Sequence, residues 1–224
     1  MHFSFLHSAV LSGSAALLMF AGVSSADGAT IYLEDFTGQV GKGYTGPDSG
    51  PTLDLAGVDW TIDVTDGEYS ATSDYFRVVD NGGDAVMRFL DNDADGNGDD
   101  HDEWISPVID ISSYTDVAIS MDVAATGGYL APRDMFTLNY RIDGGPLVEF
   151  FAADFSDGTG FPEQNVSSGT LAPGSSLQIF VHGSSISSTR PLEFDDVTVT
   201  GVPEPASLAL LSAGGLLMLS RRRR

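Results

Sequence analysis

The sequence predicts an all-β protein: an antiparallel β-sandwich of jelly-roll type, with a signal helix before it and a short transmembrane helix after it. Three observations carry the prediction. About ten short segments between residues 27 and 201 read as strands, three of them alternating apolar and polar residues with a period of two, the turns between them are rich in Gly, Asp, Ser and Pro, and no segment of this body has a convincing helical period. Short strands with frequent turns favour two packed antiparallel sheets, a jelly roll or a related sandwich, over any fold with parallel crossovers.

The clearest alternation lies in three segments. Val117, Ile119, Met121 and Val123 share one phase; so do Phe136, Leu138, Tyr140 and Ile142, and Leu177, Ile179 and Val181. Each segment wants one buried face. Further strands are expected at 30–36, 58–64, 75–79, 85–90, 104–111, 147–151 and 192–200, with a hairpin turn at Asp143-Gly144-Gly145 and a Gly/Ser-rich loop over 166–176. Along 192–200 the apolar phase flips, from Leu192 and Phe194 to Val197 and Val199, which predicts a bulge at Asp195-Asp196.

Three regions divide the chain. Residues 1–26 read as a cleavable export signal, because Ala9 to Val23 are almost all small or apolar and Ser24-Ser25-Ala26 offers the small residues signal peptidase needs, although the n-region lacks Lys and Arg. Residues 27–201 form a body of one-domain size. Residues 202–224 hold Pro203-Glu204-Pro205, a small and apolar run from Ala206 to Ser220, and four arginines, Arg221, Arg222, Arg223 and Arg224. As a helix the 15-residue run rises about 22 Å, short of a hydrocarbon core of about 30 Å, so the arginines must snorkel to complete the span, with the carboxyl end cytoplasmic. The two prolines stop that helix from extending upstream.

This tail resembles the PEP-CTERM sorting signal of Gram-negative bacteria. The resemblance covers the last 23 residues and implies an exosortase-type processing enzyme as partner, removal of the tail near the Pro-Glu-Pro triplet after transient anchoring in the inner membrane, and display or release at the cell surface or in an exopolysaccharide matrix.

Charge narrows the partners further. The body carries six bases against 31 acids, a net charge of −25, which excludes nucleic acid and anionic membrane surfaces and favours divalent cations and neutral polymers such as extracellular polysaccharide. There is no cysteine, so no disulfide braces an exported chain, and a metal could staple its loops instead.

Calcium is the expected cofactor, at two places. Asp91, Asp93 and Asp95 stand at loop positions one, three and five with Gly96 at six, followed by Asn97, Asp99, Asp102 and Glu103. The spacing resembles the first half of an EF-hand loop and then departs, with Asp102 at position twelve, Glu103 one residue late and strands rather than helices on either side. The alternative is a solvated acidic hairpin tip. A second group pairs the ends of the body, Glu34 on the first strand and Asp196 on the last. That pattern resembles jelly-roll carbohydrate-binding modules, which implies adjacent first and last strands whose acids hold a structural calcium.

Two functions compete. One is a non-catalytic, calcium-stabilised sandwich that associates with exopolysaccharide, or is built into the matrix as a structural protein, with Tyr44, Tyr69 or Tyr129 as sugar-stacking platforms. The other is a glycan-cleaving enzyme. Leu192 to Val197 resembles the Glu-x-Asp-x-x-Glu strand of laminarinase-like glucanases, but Thr198 replaces the second Glu, and no other nucleophile or acid/base arrangement is legible. The reading is therefore non-enzymatic.

Overall fold

A computed structural model of the chain describes residues 28–47, 49–93, 102–126 and 133–204. The expected signal helix and the expected membrane helix, with Pro205 and the four arginines, lie outside the described residues.

The described residues form fourteen strands: β1 Ala29–Glu34, β2 Gly43–Thr45, β3 Thr52–Asp54, β4 Thr61–Asp63, β5 Tyr75–Asp80, β6 Ala85–Leu90, β7 Asp102–Ile105, β8 Ile109–Asp110, β9 Tyr114–Ala125, β10 Met135–Ile142, β11 Val148–Ala152, β12 Phe161–Thr170, β13 Ser176–Ser184 and β14 Leu192–Pro203. Two antiparallel sheets pack face to face. The larger runs β12-β9-β14-β6-β5-β2-β3, with β1 also paired to β14; the smaller runs β11-β10-β13-β7-β4, with β8 also paired to β13. This is the expected sandwich.

The period-two pattern explains the core directly. Leu177, Ile179 and Val181 of β13 and Val117, Ile119, Met121 and Val123 of β9 all enter the one core between the sheets, and all seven are buried. At the centre Phe194 of β14 meets Phe36 and Trp104 edge to face, with ring centroids 5.6 and 5.5 Å apart. Edge-to-face pairs of this kind add about 0.5–1.5 kcal/mol each beyond the area they bury. Gly183 of β13 is required here, because a Cβ at that position would stand 2.6 Å from the Phe89 ring of the opposite sheet.

Phe36 reaches the core from a left-handed backbone position, φ 50°, just after β1. That conformation costs about 1–2 kcal/mol. Burying a Phe side chain returns about 1.5–3 kcal/mol, and the Phe36 amide is satisfied by the Glu34 carboxylate at 2.8 Å.

Some expectations need correction. The 166–176 loop begins as strand, because β12 extends to Thr170 along the edge of the larger sheet, paired with β9. Its side chains are mostly exposed on both faces, so it carries no alternation to read. The single strand expected over 104–111 is two, β7 and β8, separated at Ser106-Pro107-Val108, since proline cannot donate a ladder hydrogen bond. Residues 202 and 203, assigned to the tail, continue β14: Val202 and Pro203 pair with Thr115 and Tyr114, and the Glu204 amide donates to the Ser113 carbonyl at 2.9 Å.

Candidate functional site

Three regions collect the functional side chains. The first is the end of the sandwich where the connections β4–β5, β6–β7, β9–β10 and β13–β14 meet. Asp91, Asp93 and Asp102 stand at the base of the predicted calcium loop; Asp95, Asn97 and Asp99 lie outside the described residues. Asp93 and Asp102 are fully buried. Asn92 ties the base together: its Nδ2 donates to Asp102 Oδ2 and to the Gly183 carbonyl, both at 2.9 Å, and its Oδ1 accepts the Ser185 amide at 2.8 Å. Tyr69 donates its hydroxyl to the same Asp102 oxygen, and Ser184 Oγ donates to Asp93 Oδ2 at 3.3 Å.

Two acids missed by sequence reasoning join this end. Asp74, on the β4–β5 connection, is buried, and accepts the Ala71 amide at 2.6 Å. Asp134 accepts the Ile186 amide at 3.0 Å and faces Arg190 at 3.7 Å. Burial pushes the Asp91 carboxyl above its ordinary value, and the charge of Asp74 and a hydrogen bond with it add to that push. In sequence both acids look like ordinary turn aspartates. Glu103 is elsewhere: alternation along β7 turns Asp102 inward and Glu103 outward, where it pairs with His182.

The second region is the bulge of β14. Here β1 and β14 are neighbours, as the resemblance implied, with Glu34 opposite Val197. The register shifts between Asp195 and Thr198, and Asp196 adopts φ 50°, so the predicted bulge is present. The two predicted ligands have different surroundings. Glu34 is buried, accepts the Phe36 amide and Gln39 Nε2, and has Asp35 and Asp59 as its charged neighbours; Asp196 is exposed among Asp122, Asp84 and Asp35. Burial pushes the Asp195 carboxyl up to about 7; the Asp196 amide opposes that shift, and the charges of Asp196, Asp84 and Asp35 reinforce it. Among the described residues no three acidic or histidine side chains stand close enough together to surround an ion.

On the same outer face Glu193 forms an ion pair with Arg88, whose Nη1 also reaches the Tyr75 hydroxyl at 3.5 Å. The glucanase-like acids Glu193 and Asp195 thus share a face, with Thr198 further along it.

The third region is the outer face of the smaller sheet. Cross-strand register lines up Thr137, His182, Glu103 and Asp63 over β10, β13, β7 and β4. The adjacent row is Glu149, Asn139, Phe180, Ile105 and Thr61. Arg141 lies over the Phe180 ring, 4.9 Å from its centroid, and Asn139 Nδ2 donates to Thr137 Oγ1 at 3.1 Å. Phe180 occupies the polar phase of β13, the sequence signal by which this face could have been found. The tyrosines proposed as platforms are placed otherwise. Tyr69 is buried, Tyr44 is half-buried with its ring 4.5 Å from that of Tyr69, and Tyr129 lies outside the described residues.

No family model matches the sequence, and no curated protein matches it. Solved structures do match. A Stig cyclase, Fisc, from Fischerella sp. aligns with a TM-score of 0.50 at 11% identity, over 80% of this chain and 100% of that one. The K3 cleaved adhesin domain of Lys-gingipain from Porphyromonas gingivalis aligns with a TM-score of 0.47 at 11% identity, over 76% and 98%. The carbohydrate-binding module TmCBM61, solved with β-1,4-galactotriose, aligns with a TM-score of 0.43 at 14% identity, over 62% and 86%. At 11% identity the likeness to the cyclase shows the fold alone.

Proposed function

We propose that the protein is an exported, non-catalytic module of the cell surface or extracellular matrix that lays the outer face of its smaller sheet along an exopolysaccharide. The observation that carries this reading is the pair of rows across β10, β13, β7 and β4. Their planar polar side chains, Asn139, His182 and Glu103, are half-buried or buried, His182 is paired with Glu103, and Arg141 from the next register position stacks on Phe180. Hydrogen-bonding groups fixed in advance lose little entropy when they meet a row of sugar hydroxyls, and a flat sheet face suits an extended polymer. The net charge of −25 on the body suits a neutral glycan, or an acidic one bridged by cations.

In this reading calcium stabilises the 91–103 loop. Asp91, Asp93 and Asp102 offer oxygen ligands, which suit calcium rather than zinc, although these three alone do not close around an ion. The tail from Pro203 onward serves as an exosortase signal and a transient inner-membrane anchor. The glycan-cleaving alternative draws on Glu193 and Asp195 alone. Glu193 is committed to Arg88, and Thr198 offers no carboxyl as a second catalytic group, so we assign no reaction.

The test is a glycan array on the purified protein and on Arg141→Ala and His182→Ala variants. A polysaccharide bound by the wild type and lost by both variants supports the reading. Binding that both variants retain in full moves the site elsewhere, and glycan cleavage abolished by Glu193→Gln restores the enzyme.

A further inference from the structure

We propose that, while the tail holds the protein in the membrane, the end of the sandwich opposite the 91–103 loop lies against the lipid headgroups, with the cavity beside Glu204 facing zwitterionic lipid. The proposal rests on the reading of residues 206–220 as a membrane anchor, and it adds which part of the fold meets the bilayer.

Its basis is the lack of slack between fold and anchor. β14 continues up to the tail: Val202 and Pro203 stay in register with Thr115 and Tyr114, and the Glu204 amide donates to the Ser113 carbonyl at 2.9 Å. Pro205 alone separates this last sheet contact from the apolar run that opens at Ala206. Two fully extended residues reach about 7 Å, close to the thickness of one headgroup layer beside a hydrocarbon core of about 30 Å. The run itself rises about 22 Å as a helix, so it has no length to lend to a spacer. The body therefore cannot stand off the bilayer, and the residues around Glu204 are drawn to the headgroup level.

Those residues suit the contact. Ser112 and Ser113 from the β8–β9 connection and Ala172-Pro173-Gly174 from the β12–β13 connection are small and uncharged, and they lie beside Glu204. Between the two connections opens a cavity of about 360 Å³. Ile111, Tyr114, Val117 and Leu171 give it an apolar wall, and its charged residues are Asp116 and Glu204, both exposed. Aromatic rings with a polar tip settle at the headgroup level, as the half-buried Tyr114 would here. The two carboxylates attract the ammonium end of a zwitterionic headgroup and repel an anionic one, so the lipid is of the ethanolamine or choline type.

The orientation of the body follows. β13 runs from this end to the base of the 91–103 loop over nine residues, about 30 Å at 3.3 Å per residue. The loop and the β13–β14 connection thus stand far from the lipid, and the outer face of the smaller sheet stands upright, open to a polymer along its length.

The chain has no cysteine, so a single introduced cysteine carries a fluorophore at one place. The full chain is reconstituted into vesicles of phosphatidylethanolamine and phosphatidylcholine that hold a headgroup spin-label quencher. The fluorophore is placed at the exposed Ala172→Cys or Ser112→Cys, or at the exposed Ser188→Cys of the far end. We expect several-fold stronger quenching at Ala172→Cys and Ser112→Cys than at Ser188→Cys. Equal quenching at the two ends, or stronger quenching at Ser188→Cys, overturns the proposal and leaves the anchor intact. A chain that fails to float with the vesicles overturns the anchor reading and the proposal with it. A fluorophore at Ala172→Cys that is shielded equally without lipid assigns this end to a second copy of the chain, and likewise overturns the proposal.

Discussion

Replacing Asp93 by Asn tests the calcium linkage of the 91–103 loop with least disturbance of the fold. Asp102 is the poorer choice: its Oδ2 holds both Tyr69 and Asn92, so its loss would unsettle the loop base whether or not calcium binds. Asp93 Oδ2 accepts a bond of 3.3 Å from Ser184, which an Asn oxygen can also accept, and the substitution removes the charge while keeping the side chain's shape. In chelator Asp91 and Asp93 repel one another, and Asp74 and Asp102 are buried at the same end of the sandwich. Calcium that coordinates the loop binds the folded chain far better than the unfolded one, so at about a hundred times its dissociation constant it adds ~2.7 kcal/mol. For a folded body of this size each kcal/mol moves the midpoint by about 2–4 °C, so the wild type should melt about 5–11 °C higher in calcium than in chelator. Asp93→Asn should melt at or slightly above the wild type in chelator and recover less than half of the calcium gain. The assay is a thermal melt followed by circular dichroism. Identical wild-type melts with and without calcium, or a variant that keeps the full gain, would refute the reasoning.

Other outcomes follow from single contacts. Gly183→Ala places a Cβ 2.6 Å from the Phe89 ring and should lower stability by about 1–3 kcal/mol in urea titration, whereas Phe194→Leu, which removes two edge-to-face contacts, should cost about 2–3 kcal/mol. Asp143 accepts the backbone amides of Ser175 and Ser176, both at 2.9 Å, and those bonds hold its carboxyl below the ordinary value. Its contribution is present above the unfolded carboxyl value near 4 and fades as pH falls through the lower folded value, so the stability profile of Asp143→Asn should be flatter than wild type on the acid side. Mass spectrometry of protein released from cells should find a form that begins near Asp27 and lacks the four arginines. Recovery of the Arg224-terminated chain alone would refute the processing reading.

The sandwich was legible because β9 and β13 each bury one complete alternating face and β10 buries the first half of one, and the β14 bulge announced itself when the apolar phase flipped between Phe194 and Val197. What was not legible has physical causes. β12 lies at an edge and exposes both faces, β2 and β3 have three residues each, and Pro107 interrupts an otherwise continuous run. The site residues divide in the same way. Asp91, Asp93 and Asp102 stand out because they are close in sequence, whereas Asp74 and Asp134 reach the same end from other connections, and spacing carries no trace of that. Alternation along β7 could have shown that Asp102 and Glu103 face opposite ways. The rows on the outer face of the smaller sheet were hidden for a further reason: cross-strand neighbours such as His182 and Glu103 are 79 residues apart, and only register brings them together.

The measurement that bears most directly on the central claim is binding of isolated exopolysaccharide to the purified protein by isothermal titration, with wild type compared to Arg141→Ala. The guanidinium stacks on Phe180 on the outer face of the smaller sheet, away from the interior between the two sheets. The account predicts saturable wild-type binding and at least tenfold weaker binding by the variant, with a melt lowered only by the lost stacking on Phe180, about 0.5–1 kcal/mol. Equal binding by the two proteins, or no binding by the wild type to any polysaccharide offered, would contradict it.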